Sequence, residues 1–231
     1  MRRFAISDIH GCRKTFEALL DQIALSAGDE LYILGDYIDR GPDSKGVVDY
    51  IWQLRKEGYT IHCLMGNHEM MLLEAGNDLA SRSTWLYNGG YETLESFGTQ
   101  NPEEIPEEYI TFFEELSLYE EVDEYILVHA GLNFKATDPL YDVESLLWIR
   151  DWYDNINHDW LEERIIIHGH TPINRRRIQH LHAHLDEFQV LDIDAGCVFD
   201  RPQLGVGYLC AFEMNSRELF FQKNIERGKQ A

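Results

Sequence analysis

A chain of 231 residues, 44% of them hydrophobic, is long enough to bury one substantial core but short for two, so a single domain over residues 1–231 is expected. Its 41 acidic and 20 basic residues give a formal net charge of −21, which excludes broad electrostatic binding to nucleic acid or an anionic membrane surface. An anionic substrate must then be held locally, by metal ions and a few placed arginines.

The apolar run after Arg2-Arg3 is too short for a signal-peptide core, and no stretch is long enough to span a membrane. Cys12, Cys63, Cys197 and Cys210 show no CxxC spacing, so reduced thiols and a cytoplasmic location are expected. In chain order, Arg3 to Ser7 reads as a buried strand stopping at Asp8, and Lys14 to Leu25 as a helix with Phe16, Leu19, Leu20 and Ile23 on one face. Glu30 to Leu34 is a second strand, stopping at Gly35-Asp36, and Ser44 to Glu57 a helix carrying Val47, Val48, Ile51 and Leu54. Thr60 to Met65 runs into Gly66-Asn67-His68. From Ser83 to Phe134 there is no Lys or Arg, and residues 98–124 form an acidic lobe with a helix over Tyr109 to Leu116. The lobe reads either as a solvated cover or as a cap favouring basic substrates. Tyr125 to Val128 and Arg164 to Ile167 are strands ending at His129 and at His168-Gly169-His170, and Val190 to Asp194, Tyr208 to Met214 and Glu218 to Gln222 close the fold. Strands alternating with helices define an α/β domain, in which functional groups collect beyond the carboxyl ends of the strands.

The polar clusters stand at those ends. Ser7-Asp8-Ile9-His10-Gly11 can aim an acid and an imidazole at one ion. Gly35-Asp36-Tyr37-Ile38-Asp39-Arg40-Gly41 adds a carboxylate able to bridge two cations and a guanidinium suited to phosphate oxygens. Gly66-Asn67-His68-Glu69 adds an amide oxygen and an imidazole, and His129-Ala130-Gly131 and His168-Gly169-His170-Thr171-Pro172 contribute further imidazoles. Oxygen and nitrogen donors without thiolates suit Mn²⁺, Fe or Zn²⁺.

The ordered series SDIHG, GDYIDRG, GNHE, HAG and HGHTP, from Asp8 to Pro172, resembles the calcineurin-like metallophosphoesterases, specifically the serine/threonine phosphoprotein phosphatase branch and its small bacterial relatives. The resemblance implies two central mixed β-sheets flanked by helices, with metals at the strand ends. By position it implies Asp8, His10 and Asp36 on a first divalent ion, and Asp36, Asn67, His129 and His170 on a second. It implies Arg40, Arg150 and Asn67 on the substrate phosphate, His68 as general acid and Asp39 as its orienting partner. The reaction would be in-line attack on phosphorus by a hydroxide bridging the two ions. Pro172 replaces the second imidazole of the GHxH motif found more widely in the superfamily, leaving the first ion fewer ligands.

Other features read more simply. His180, His182 and His184 alternate as on an exposed strand, with a metal site as the rival reading. Arg175-Arg176-Arg177 is assigned to the acidic lobe ahead of a substrate near the metal-bearing turn, His168 to a structural role, and Trp85, Trp152 and Trp160 to packing. The leading function is a phosphomonoesterase acting on phosphoserine or phosphothreonine in proteins. The rivals are a bis(5'-nucleosyl)-tetraphosphatase and a non-catalytic scaffold. The acid at Asp39 favours the first, because an alkoxide leaving group needs a well-oriented proton donor and a phosphoanhydride needs it less.

Overall fold

The computed structural model describes residues 1–199 and 201–226. Its centre is two mixed β-sheets. The first contains β1 (Arg3–Ile6), β2 (Glu30–Ile33), β3 (Thr60–Cys63), β8 (Tyr208–Glu213) and β9 (Glu218–Lys223), in the order β3-β2-β1-β8-β9. Strands β1, β2 and β3 are parallel, whereas β8 pairs antiparallel with both β1 and β9. The second sheet contains β4 (Tyr119–Val122), β5 (Tyr125–Val128), β6 (Ile165–His168) and β7 (Val190–Asp192), with β4 antiparallel to β5 and the other three parallel. Parallel neighbours need a crossover, and helices supply it: α1 (Arg13–Gln22) joins β1 to β2, and α2 (Ser44–Lys56) joins β2 to β3. Asp43 caps α2, its side chain accepting from the Gly46 N–H, and Arg55 and Lys56 stand in the last turn, where the helix dipole favours cations.

The period of two along each strand separates the layers. Phe4, Ile6, Leu31 and Ile33 point into a core shared with Phe16, Leu19, Val47 and Ile51 of the helices. Ala5, Tyr32 and Leu34 point the other way, into a core with Tyr125, Leu127, Ile165, Ile167 and Leu191, so the two sheets pack face to face. Ile126, Val128, Ile166 and Val190 turn outward from the second sheet to meet Leu132, Leu146, Trp152 and Leu161. The expected α/β fold with two mixed sheets flanked by helices is the one observed.

The chain between β3 and β4 holds α3 (Asn67–Glu74), α4 (Leu79–Trp85), α5 (Tyr91–Phe97) and α6 (Glu107–Glu114). In the acidic stretch, Tyr109, Phe112 and Phe113 of α6 are buried in the helix-side core while Glu103, Glu104, Glu107, Glu108, Glu114 and Glu115 face solvent. After β5 come α7 (Val143–Trp148) and α8 (His158–Leu161), and after β6 come α9 (Arg175–Ala183) and α10 (Leu185–Phe188). Helix α9 overturns the strand expected over His180, His182 and His184. Ile178, Leu181 and Leu185 bury at a helical spacing, and Asn174 caps the start by accepting from the Arg177 N–H.

Asp29 locks the first two strands at their amino ends. Its carboxylate accepts from Arg2 Nη2 at 2.6 Å, Arg2 Nε and backbone N–H at 3.1 Å, and the Ser26 hydroxyl at 2.8 Å. Those donors, the Arg2 guanidinium first, hold its pKa well below the ordinary 3.8. A depressed carboxylate contributes stability above its unfolded pKa and loses it as pH falls. Asp29→Asn should therefore cost about 1–2 kcal/mol in denaturant unfolding at neutral pH. The gap to the parent should narrow between about pH 5 and pH 3, and an equal gap at both would contradict the assignment.

Candidate active site

Each polar cluster follows a strand. Asp8 and His10 lie in the turn after β1, Asp36 after β2, Asn67 at the start of α3 after β3, His129 directly after β5, and His170 after β6. The carboxyl ends of both sheets thus converge on one volume, and all six side chains are at most 5% exposed. The close approach requires glycine at two points. Gly35 has φ +98°, and a Cβ there would meet the Gly66 nitrogen at 2.5 Å; a Cβ on Gly66 would meet Asp36 Oδ1 at 2.3 Å. The functional residues are themselves bent: Asp8, His10, Asp36, Asp39, Arg40 and His170 all take φ between 48° and 72°. Such left-handed backbone concentrates at working sites.

Asp36 is central. Its Oδ2 lies 3.4 Å from His10 Nε2 and 4.0 Å from His68 Nε2, while its Oδ1 lies 3.5 Å from His129 Nε2. His129 Nε2 is also 2.9 Å from Asn67 Oδ1 and 3.2 Å from His170 Nδ1, which is itself 2.8 Å from Asn67 Oδ1. Tautomers follow from the opposite ring atoms. His10 Nδ1–H donates to the Ile38 carbonyl and His129 Nδ1–H to the Leu34 carbonyl, both at 2.8 Å, so each Nε2 presents a bare lone pair inward. Lone pairs on His129 and Asn67 crowd together with no proton between them, and His68 Nε2 and His170 Nε2 are buried without a hydrogen-bond partner among the described residues. Cations seated among these atoms would turn repulsion into coordination. Two overlapping groups, His10-Asp36-His68 and Asp36-His129-His170, each bring their donor atoms within 4.8 Å of one another, so the residues fit divalent metal ions.

The first group differs from the expected set, containing His68 where Asp8 was anticipated. Asp8 stands alongside, its Oδ2 accepting from the His170 N–H at 3.0 Å and from the Ser7 hydroxyl. Burial, reinforced by His68 and Arg40, holds His10 well below its ordinary pKa, and burial, with help from His129 and Arg150, holds His170 at about 2. Both are neutral, as ligands must be. Burial, with Asp8 and Glu69 nearby, drives Asp36 well above the usual carboxylate range. The cluster is short of positive charge.

His68 Nδ1 lies 2.7 Å from Asp39 Oδ2. Asp39 is fully buried and also accepts from Thr93 Oγ1 at 2.7 Å and Trp85 Nε1 at 3.0 Å. Desolvation pushes Asp39 up to about 8, against the pull of those two donors, and the same burial pushes His68 down. Two desolvated partners at this distance fix the ring and leave Nε2 facing the metal-binding volume. Arg40 approaches from the side, its Nη1 donating to His10 Nε2 at 2.8 Å and its backbone N–H to the Gly89 carbonyl at 3.1 Å. Arg150 is exposed at the rim, bound through Nη1 to Thr171 Oγ1 at 3.1 Å.

Sequence reasoning missed several supports. Glu69 is fully buried, and its carboxylate accepts from the backbone N–H groups of Asp36 at 2.9 Å, Tyr37 at 2.8 Å and Gly66 at 3.0 Å. The signal was present: an acid three residues after a helix-starting glycine can reach back to it, as in half of a capping box. Trp85 was read as packing and is fully buried, yet it anchors Asp39; with Thr93, it lies far along the chain from that acid and outside every motif, so no local signal marked either. Trp148, beside the Ile149-Arg150 pair, places its ring edge-on to His170 with centroids 6.3 Å apart. His168 donates or accepts at 2.6 Å with the Tyr153 hydroxyl. The arginine triplet makes no ion pair with the acidic stretch among the described residues: Arg175 stacks over Tyr208 and Phe221, its guanidinium carbon 4.6 Å from each ring centre.

Carboxylate, amide and imidazole donors at the carboxyl ends of strands in two packed mixed sheets make a site fitted to divalent metal ions. Residues 1–199 match the calcineurin-like phosphoesterase family, and the chain belongs to it. Bis(5'-nucleosyl)-tetraphosphatase PrpE [asymmetrical] of Bacillus mycoides (strain KBAB4) is 27% identical over 240 residues, which cover 90% of this chain and 91% of that protein. The symmetrical bis(5'-nucleosyl)-tetraphosphatase of Nitrosomonas europaea is 32% identical over 191 residues, 74% of this chain and 67% of that one. A protein serine/threonine phosphatase from Saccharomyces cerevisiae shares the fold with a TM-score of 0.69 at 15% identity, over 99% of this chain and 82% of that one.

Replacing Glu69 by Gln sets an amide N–H₂ against backbone donors that need an acceptor. The variant should lose about 2–4 kcal/mol of stability and bind metal less tightly, read by thermal unfolding and elemental analysis; unchanged values would remove Glu69 from its bracing role.

Proposed function

We propose that this phosphoesterase hydrolyses dinucleoside polyphosphates and works with two divalent ions, Mn²⁺ foremost. The observation that carries the substrate reading is the likeness to bis(5'-nucleosyl)-tetraphosphatases over as much as nine tenths of the chain. It supports that rival ahead of the protein phosphatase expected from Asp39. In this reading Asp8, His10 and Asp36 hold one ion, Asp36, Asn67, His129 and His170 hold the other, and Asp36 is shared. The ions, when bound, supply a water acidified toward neutral pKa and charge that offsets the phosphoryl oxygens.

The chain's own residues do the rest. Arg40 and Arg150 meet the equatorial oxygens with Asn67, where charge grows as the transition state forms. His68 keeps its Nε2 toward the leaving oxygen and passes a proton to it, while Asp39, held by Trp85 and Thr93, fixes the opposite ring nitrogen. His68 lies close enough to Asp36 to compete as a ligand, but its Nδ1 bond to Asp39 favours the acid role. The same buried pair suits a basic leaving group, which keeps a phosphoserine or phosphothreonine esterase as the second reading. Four free, buried thiols support a reducing compartment such as the cytoplasm, and no helix among the described residues is long and apolar enough to cross a membrane.

Chelator should abolish activity and Mn²⁺ restore it, with about two ions per chain by elemental analysis. Full activity in verified metal-free protein would end the mechanism. Side by side, diadenosine tetraphosphate should be cleaved with at least about tenfold higher kcat/KM than a phosphoserine peptide, a factor worth about 1.4 kcal/mol; the reverse order would establish the second reading. His68→Asn should retain its metals yet slow hydrolysis of a phosphoserine peptide by roughly 10²- to 10⁴-fold, and nitrophenyl phosphate by less. Loss of metal in that variant would make His68 a ligand.

A further inference from the structure

A cavity of about 310 Å³ is lined by Arg150, by His168 and by Thr171, the residue directly after His170. Its size lies at the lower end of the range that holds small ligands. Arg150 lines the cavity and also bears on the metal-binding cluster, since its charge acts on His129 and His170. Arg177 lines the same cavity from α9, and its charge is felt by Tyr153 on another wall. Between them the Tyr153 hydroxyl is bound to His168, and burial, with Asp194 nearby, pushes Asp192 well above the usual carboxylate range.

Both arginines are exposed at their tips, and among the described residues neither makes an ion pair, although Asp151 and Asp154 also line the cavity. In a chain of net charge −21, two guanidiniums outside any ion pair among the described residues line one cavity, and each keeps N–H groups available to an anion.

Resting on the dinucleoside polyphosphate reading, we propose that this cavity is the subsite for the non-reacting phosphates of the substrate and that Arg177 is their anchor. The phosphoryl group under attack lies among the metal ligands and Arg40. The next phosphates pass Arg150, and the distal ones reach Arg177. An ester carrying a single phosphate has nothing to place there, so Arg177 discriminates by chain length and takes no part in bond breaking.

The test uses manganese-loaded full-length protein with free Mn²⁺ held constant. Inorganic tripolyphosphate and orthophosphate are compared as inhibitors of nitrophenyl phosphate hydrolysis. Tripolyphosphate should inhibit the parent more tightly. Arg177→Ala should weaken that inhibition by about tenfold, the loss expected for one charge-assisted hydrogen bond. It should leave orthophosphate inhibition and nitrophenyl phosphate turnover unchanged, and Arg177→Lys should recover part of the loss. Arg176→Ala, which removes an equal charge one residue away and outside the cavity, should have little effect. With diadenosine tetraphosphate, Arg177→Ala should raise KM and leave kcat. Equal tripolyphosphate inhibition of parent and Arg177→Ala, or equal losses in the two alanine variants, would overturn the subsite. A parent inert toward diadenosine tetraphosphate would overturn the substrate reading instead, and the tripolyphosphate comparison would still decide the role of Arg177.

Discussion

The architecture of the site hangs on one buried carboxylate. Glu69 takes backbone N–H groups from the loop after β2 and from the turn after β3, so two loops that would otherwise be independent become one piece. Burial pushes Glu69 up to about 7 while those three donors pull the other way, and the balance lets an acid survive with no ion pair among the described residues. What the bond fixes is the position of Asp36, whose N–H it receives and whose two oxygens face opposite nests of imidazole. A misplaced Asp36 would separate the two nests.

Charge explains why so acidic a chain can process an anion. Asp8, Asp36, Asp192 and Asp194 are all buried near the strand ends, and burial raises the pKa of the last three, with the charge of Asp8 adding to it. The interior therefore favours cations, and divalent ions are the densest available. Arg40 reaches the edge of that nest through His10 Nε2, and Arg150 stands exposed at the rim on Thr171. A net charge of −21 opposes anions over the molecule as a whole, so any attraction for a phosphoester has to be local.

Much of this was legible in the sequence, because the fold places function at strand ends and the strands are short apolar runs with abrupt polar stops. His10 and Asp36 fall in one donor group and Asp36, His129 and His170 in another, with Asn67 against the second and Asp8 on the His170 N–H, while His68 stands in the first group where the motifs implied Asp8. What escaped was tertiary. The indole of Trp85 looks like any core side chain until its N–H is seen to meet Asp39. The alternation of His180, His182 and His184 imitates a strand, yet Ile178, Leu181 and Leu185 carry the helical period, which burial obeys. His180 and His184 end one turn apart with ring centres 4.6 Å from each other, while His182 faces elsewhere and bonds the Arg217 carbonyl. Substrate choice was the least legible, since a His68–Asp39 pair is compatible with an alkoxide leaving group and with a better one.

The left-handed backbone at the site has a consequence for the history of such a chain. Asp8, Asp36 and Asp39 tolerate that conformation because a short polar side chain can bond locally, but at His10, Arg40 and His170 it costs roughly 1–2 kcal/mol each. Set against a total stability of about 5–15 kcal/mol for a typical domain, that is a large fraction held in a few turns. Glycine at any of the three would relax the backbone and remove a working side chain in the same step. The strain and the side chain therefore go together, and neither can be changed at these positions without the other.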